Sequence, residues 1–115
     1  MHAAQHLPLK PVVLEILLAL AAGPLHGYAI LRSVRDRTGG VPRLETGPLY
    51  RHLARLLDGG LVEETAAPKE PDTYDERRRY YRLTELGREV LRLEGERLLG
   101  LVEATRRLGI AGAGE

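Results

Sequence analysis

The 115-residue sequence predicts a mainly helical α+β domain carrying one small β-hairpin, and three observations predict it. Hydrophobic residues make up 43% of the chain, yet there is no Phe or Trp and only five Tyr, so the apolar set is the Leu, Val, Ala and Ile palette of packed helices. Apolar residues recur at helical spacing in segments that end on Gly or Gly-Pro. Two short stretches, residues 61–65 and 78–83, read instead as strands and flank a polar segment with no apolar period.

Residues 1–8 carry no pattern and are expected to fray as a disordered tail. From Leu9 to Ala22 the chain is apolar nearly all round, with Pro11 in the first turn and Gly23-Pro24 as the stop. Such a helix needs cover on more than one side. In so small a domain a second copy of the chain supplies that cover most cheaply, which makes Leu14, Leu17 and Leu18 candidate dimer residues. LHGYAI at 25–30 opens a second helix that runs to Thr38 and stops at Gly39-Gly40. Its buried side is Tyr28, Ile30, Leu31 and Val34, and its wet side Arg32, Arg35, Asp36 and Arg37; His26 is expected to cap or pack at the start.

TGPLYRHLARLLDGGLVEE, residues 46–64, reads as a short helix, a glycine stop and the start of a strand. Leu49, Leu53, Leu56 and Leu57 form an apolar stripe, while Arg51, His52 and Arg55 point elsewhere. Thr46 is expected to cap this helix, Pro48 sits in its first turn, and Asp58-Gly59-Gly60 ends it. Helix, tight turn, helix, loop, helix is a helix-turn-helix in outline, and the hairpin of residues 61–83 with its polar tip is a wing. Thr84 then caps a helix reaching Leu108, whose apolar residues cover nearly half its circumference. Leu91 and Leu98, and likewise Leu101 and Leu108, are seven apart; with Val102 they predict a partly coiled-coil seam with a partner helix. The expected layout is therefore a winged helix-turn-helix over 9–83, a dimerisation helix over 84–109, and a disordered tail over 110–115.

Formal net charge is only +1 and cysteine is absent, so disulfides, thiol nucleophiles and thiolate metal sites are excluded together. The longest apolar run, Val12 to Ala22, contains Glu15 and is too short to span a bilayer, and nothing before it looks like a signal peptide. The expectation is a cytoplasmic protein without a membrane partner. The four histidines, at 2, 6, 26 and 52, have no metal-binding spacing, and no glycine-rich phosphate loop follows a strand. No enzyme, metal or cofactor is expected.

Basic residues are concentrated rather than abundant. Six arginines lie between Arg32 and Arg55, Arg43 among them, against Asp36 and Glu45, and residues 77–82 hold four more without an acid. An arginine run alone is commonly a solvated face. Here both runs fall on the third helix with its approach loop and on the wing, where phosphate and base contacts originate. Arg51, His52 and Arg55 are thus candidate DNA contacts. The acids Glu70, Asp72, Asp75 and Glu76 at the wing tip work against such binding.

Three segments together, LHGYAI, TGPLYRHLARLLDGGLVEE and RRRYYRLTELGREVL at 77–91, resemble the PadR family of bacterial transcriptional regulators. The resemblance covers Leu9 to Leu93 and, with its single C-terminal helix, looks like the short-form subfamily. It implies a homodimeric repressor on double-stranded operator DNA, released by a small effector. It also implies DNA contacts by Thr46 and Tyr50, phosphate contacts by Arg78 and Arg79, and a largely buried Tyr81. Tyr50 has a structural reading too, partial burial against Leu53 and Leu57. Pro48 departs from the small or hydroxyl residue usual before the Leu-Tyr pair and removes one backbone donor. Some family members hold flat aromatic ligands between tryptophans; without Trp, a ligand pocket here would be aliphatic and its effector hydrophobic. The alternative reading is a winged-helix protein-interaction module that does not bind DNA.

Overall fold

The computed structural model describes residues 2–67 and 78–110. Its elements are α1 (Pro11–Ala21), β1 (Leu25–His26), α2 (Gly27–Thr38), α3 (Thr46–Asp58), β2 (Val62–Thr65), β3 (Tyr80–Leu83) and α4 (Glu85–Arg107), preceded by a single 3-10 turn at Ala3–His6. The three strands form an antiparallel sheet in the order β1-β3-β2, with Leu25 opposite Tyr81 and Val62 opposite Leu83. This is a winged helix-turn-helix with a long C-terminal helix, the α+β class the sequence predicts. Most of the wing tip and the final five residues lie outside the described residues, and with them the acids at 70–76.

Local chemistry explains most boundaries. Pro11 occupies the first turn of α1. Gly39 takes a left-handed φ of 68° and ends α2, a conformation that costs a residue with a Cβ. Thr84 caps α4 by accepting from the Gly87 N–H at 3.0 Å, and the same hydroxyl donates to the Gly60 carbonyl at 2.6 Å. One side chain thereby ties the long helix to the turn that precedes the wing.

The core joins Ile16, Leu17 and Leu20 of α1, Ile30 and Val34 of α2, Leu49, Leu53 and Leu56 of α3, Leu61 and Val62 at the start of β2, Tyr81 and Leu83 of β3, and Val90 of α4. Gly87 has a specific role in closing it. A Cβ there would overlap the Leu61 carbonyl oxygen and sit 3.1 Å from its carbon, so only glycine lets α4 lie this close to the root of β2.

Several expectations are corrected. Leu25 and His26 form a strand rather than helix, because the free edge of β3 takes up their backbone groups. Within the segment expected to be a tail, Ala3, Leu7 and Leu9 pack against the core, and the Ala3–His6 turn lies on α4. Glu45 stands at the N-cap of α3 without a side-chain bond, and Thr46 is already in the helix, so Thr46 does not cap it. Tyr28 is 57% exposed, having rotated off the buried face. On β3, Tyr80 is buried along with Tyr81 and Leu83, while Arg82, on the same face as Tyr80, is exposed. Leu17 is wholly enclosed by its own protomer and has no surface to offer a partner.

The N-terminal segment is anchored by a buried carboxylate. Glu94 of α4 is 1% exposed; it accepts from the Leu9 N–H at 3.0 Å and from Arg97 Nε at 2.6 Å. Arg97 foremost, then the Leu9 amide, holds its pKa below the usual value against the opposing effect of burial. A carboxylate depressed on folding contributes stability above its unfolded pKa of about 4.3, lost as pH falls through the lower folded value. Glu94→Gln should therefore be less stable than wild type at pH 7, and the gap should shrink at pH 3. Urea midpoints at the two pH values test this, and an unchanged gap would show that the carboxylate charge is not the anchor.

Candidate nucleic-acid interface

The apolar stripe of α3 determines what its other side presents. With Leu49, Leu53 and Leu56 buried, Thr46, Tyr50, Arg51 and Arg55 are turned outward. Neither Arg51 nor Arg55 makes an ion pair with any described residue. Arg51 instead runs back along the first turn, where a Cβ on Gly47 would lie 3.6 Å from its Nη1. Their charges are held where a polyanion could neutralise them.

His52 stands apart from this group. It is half-buried, and burial first, then the charges of Arg55, Lys10 and Arg51, lowers its pKa below the ordinary histidine value. At neutral pH its imidazole is therefore held towards the uncharged form. Arg43 is outward but engaged, with its Nε 2.7 Å from Glu45 Oε2. On the wing, Arg79 reaches Glu64 loosely at 3.7 Å and Arg82 pairs with its cross-strand neighbour Glu63 at 2.6 Å. Arg77, the first of that arginine run, lies outside the described residues.

Where α3 meets the wing, a cavity of about 420 Å³ is lined by His26, Gly27, Tyr28, Tyr50, Arg78, Arg79 and Tyr81. The sheet builds it. Pairing of His26 with Tyr80 draws the start of α2 against β3, and Tyr50 crosses from α3 to close the remaining side. His26 caps α2 by accepting from the Ala29 N–H through Nδ1 at 3.2 Å, while its Nε2 lies 2.6 Å from Arg78 Nη1. Its ring meets Tyr80 edge-on with centroids 5.3 Å apart, and Arg32 lies 5.8 Å over the ring of Tyr28. Of the residues expected to contact DNA, Tyr50, Arg78 and Arg79 line this cavity; Gly27 and Tyr28, which also line it, were not among them. The available signal was the HGY run at 26–28, whose meaning depends on a strand too short to leave a periodicity.

Gly27 and Tyr50 are interlocked. A Cβ on Gly27 would overlap the Tyr50 hydroxyl and lie 2.9 Å from its Cζ. The missing side chain is what lets the phenol cross the start of α2, leaving Tyr50 47% exposed at the cavity mouth. A second cavity, about 750 Å³, lies between the end of α2 and the start of α3 and is lined by Arg35, Arg43 and Thr46 among others. Among the described residues no group of acidic, histidine or cysteine side chains could hold a metal ion, and no helix is long and apolar enough to cross a membrane.

A winged helix-turn-helix whose third helix and wing share a basic, tyrosine-lined face defines the general class. Within it, the model of the transcriptional regulator PadR-like family matches residues 16–93, and this chain belongs to that family. The family is one of transcriptional regulators rather than enzymes. Among solved structures, a PadR family transcription regulator from Clostridium difficile is 22% identical with a TM-score of 0.72, covering 86% of this chain and 98% of its own. RosR of H. salinarum is 27% identical with a TM-score of 0.66 over 83% and 78% of the two chains. Bacillus subtilis PadR, solved in complex with operator DNA, is 24% identical with a TM-score of 0.60 over 74% and 45%. A curated relative, an uncharacterized 37.1 kDa protein of transposon TN4556 from Streptomyces fradiae, is 41% identical over 86 residues. That match takes in 75% of this chain but only 22% of the relative's length.

The interlock gives a thermodynamic test. Gly27→Ala should destabilise the wild-type protein by about 1–3 kcal/mol through overpacking. In a Tyr50→Ala background the same change should be neutral or stabilising, since alanine is the better helix residue. Urea denaturation of the four variants checks this, and an equal cost in both backgrounds would break the link between the two residues.

Proposed function

We propose that this chain is a homodimeric, sequence-specific DNA-binding repressor. The observation that carries the reading is the outward face of α3, where Arg51 and Arg55 stand without acidic partners among the described residues, together with Tyr50 of the same helix lining one cavity with Arg78 and Arg79 of the wing. Arginines in the major groove can donate to guanine edges or to phosphates, while the wing reaches flanking backbone. Thr46, exposed in the first turn of α3, adds a hydroxyl, and Arg43 can exchange its surface carboxylate for a phosphate at little cost. His52, neutral and half-buried, contributes a directional hydrogen bond rather than charge. Support also comes from the fold shared with B. subtilis PadR, whose structure holds operator DNA.

The dimer reading rests on the far half of α4. Up to Glu94 the helix is held by its own protomer, Leu91 included. Beyond that, Leu98 is half-buried, while Leu99, Leu101, Val102 and Leu108 are exposed, between 42% and 74%. Such a row is costly in water and is covered by a second α4, with the half-buried Leu14 and Leu18 of α1 at its margin. A two-fold dimer of this kind reads an inverted repeat with half-sites about 34–36 Å apart. A small hydrophobic effector seated among these aliphatic residues would change the angle between protomers and release the DNA. The site of action is the cytoplasm.

A gel shift against DNA flanking the protein's own gene tests the first half of this proposal. Binding should weaken steeply with salt, and Arg51→Ala or Arg55→Ala should each reduce the logarithmic salt slope by about 1 where the arginine contacts a phosphate. No binding, or binding indifferent to salt, would overturn it. The second half is tested by sedimentation. Leu101 is exposed in the protomer, so Leu101→Glu leaves the fold intact and should convert dimers to monomers. A variant that sediments as wild type would place the interface elsewhere.

A further inference from the structure

We propose that residues 3–10 are a strap that ties α4 to α3 and sets the angle between the two helices, with Glu94 as its fastening point. The regulatory consequence of the strap rests on the reading of the chain as a DNA-binding dimer; its geometry does not.

Two fixed points are needed to set the direction of a long helix. α4 has one at its start, where Thr84 bonds to Gly60 and Gly87 lies on the Leu61 carbonyl. Glu94, the last buried residue of the helix, lies about 10 Å further along it and provides the second. What it holds there comes from the other end of the chain: the Leu9 N–H donates to Oε2 at 3.0 Å, and the Ala3–His6 turn packs on α4. Arg97 grips both oxygens of the same carboxylate, at 2.6 and 3.0 Å, and so fixes its orientation.

The strap also meets α3. The His6 ring lies 3.8 Å from where a Cβ on Gly59, the C-cap of that helix, would stand. Its Nε2 is buried without a hydrogen-bond partner among the described residues, so packing and not polar bonding seats the ring there. Gly59 in turn donates to the Arg55 carbonyl at 2.9 Å, which puts the strap against the turn that carries one of the outward arginines. Burial, then the charges of Arg55 and Lys10, lower the pKa of His52 on α3, so Lys10 at the strap's end lies near that helix too. Between these points Ala3, Leu7 and Leu9 pack on the core.

The place of the fastening point gives the strap its consequence. Up to Glu94 the helix belongs to its own protomer, and from Leu99 onward its apolar side chains are exposed. Whatever covers or tilts that far half acts on Glu94 first, and through Leu9 and His6 on the end of α3. Dimer geometry and the presentation of Arg51 and Arg55 become one linked adjustment, and the linkage runs both ways.

The chain has no cysteine, so nitroxides can be placed at Ala54→Cys of α3 and Glu103→Cys of α4 alone, both exposed positions. Pulsed dipolar distances are read with labelled protein diluted into unlabelled protein, so that only pairs within one protomer count. The intact strap should give one narrow distribution. Glu94→Leu removes the acceptor at similar volume, and Leu9→Pro removes the donor while leaving the Glu94–Arg97 pair. Each should broaden and displace the distribution and lower operator affinity about tenfold, within the range of allosteric coupling. Val34→Ala takes stability from the α2 side of the core without touching the strap and should broaden nothing. Urea transitions on the same samples establish that each is folded, and Leu9→Pro decides alone where Glu94→Leu is not. A wild-type distribution in the strap variants, or equal broadening by Val34→Ala, would overturn the proposal. Broadening with wild-type operator affinity would overturn the coupling to DNA. Wild-type protein that binds no duplex overturns the function proposed above instead, and the distances still decide whether the strap sets the angle.

Discussion

The pairing of β3 with strands on both sides is the constraint on which the rest depends. Tyr80–Leu83 is the central strand, with β2 giving the wing its root and the two-residue β1 holding the start of α2. Without β1, the first turn of α2 would have no fixed relation to the wing, and the His26, Tyr50 and Arg78 groups would not converge. A two-residue ladder supplies little energy of its own. Its strength comes from being continuous with the packed Tyr81 and Leu83 beneath it, which cannot shift without opening the core.

The arginines show how neighbours, not sequence density, decide availability. Arg37 forms a bidentate pair with Glu15, joining α2 to α1, and Arg82 is held by the residue opposite it in the ladder. Both belong to runs that look equally basic on paper. Arg51 has Gly47, Pro48, Ala54 and Arg55 one turn away on α3 and no acid among them, while Arg55 has Asp58 three residues on yet forms no ion pair with it. Surface pairs such as Arg79 with Glu64 are worth under about 1 kcal/mol, so they store basic side chains in place without locking them.

How much of this was legible in the sequence follows from the range of the interactions involved. The ends of α1, α2 and α4 are written in adjacent residues: Pro11, Gly39 and Thr84 act within a turn of themselves, and local signals of that kind survive without tertiary information. The stripe of Leu49, Leu53 and Leu56 is likewise periodic over one helix. What was not legible depends on distant partners. Leu25 and His26 become a strand because of residues 80 and 81, and the Ala3–His6 turn is ordered because Glu94 accepts from Leu9 across 85 positions of chain. Tyr28 reads as core by spacing and stands outside, at the cavity between α2, α3 and the wing. Leu17 was assigned to an interface because α1 is apolar all round, whereas α2, α4 and β3 supply the cover within the protomer.

That last point sharpens what the long helix does. α1 needs less from a partner than its composition suggests, and the unmet apolar surface moves to the end of α4. The near end of the same helix is fastened to the wing's root, with Gly87 against the Leu61 carbonyl and Thr84 bonded to Gly60. Contacts so close leave little slack between helix and sheet. A continuous helix therefore joins the exposed leucines to the strands that position α3, and a change of direction at its far end must be carried into the angle at which the basic face is presented.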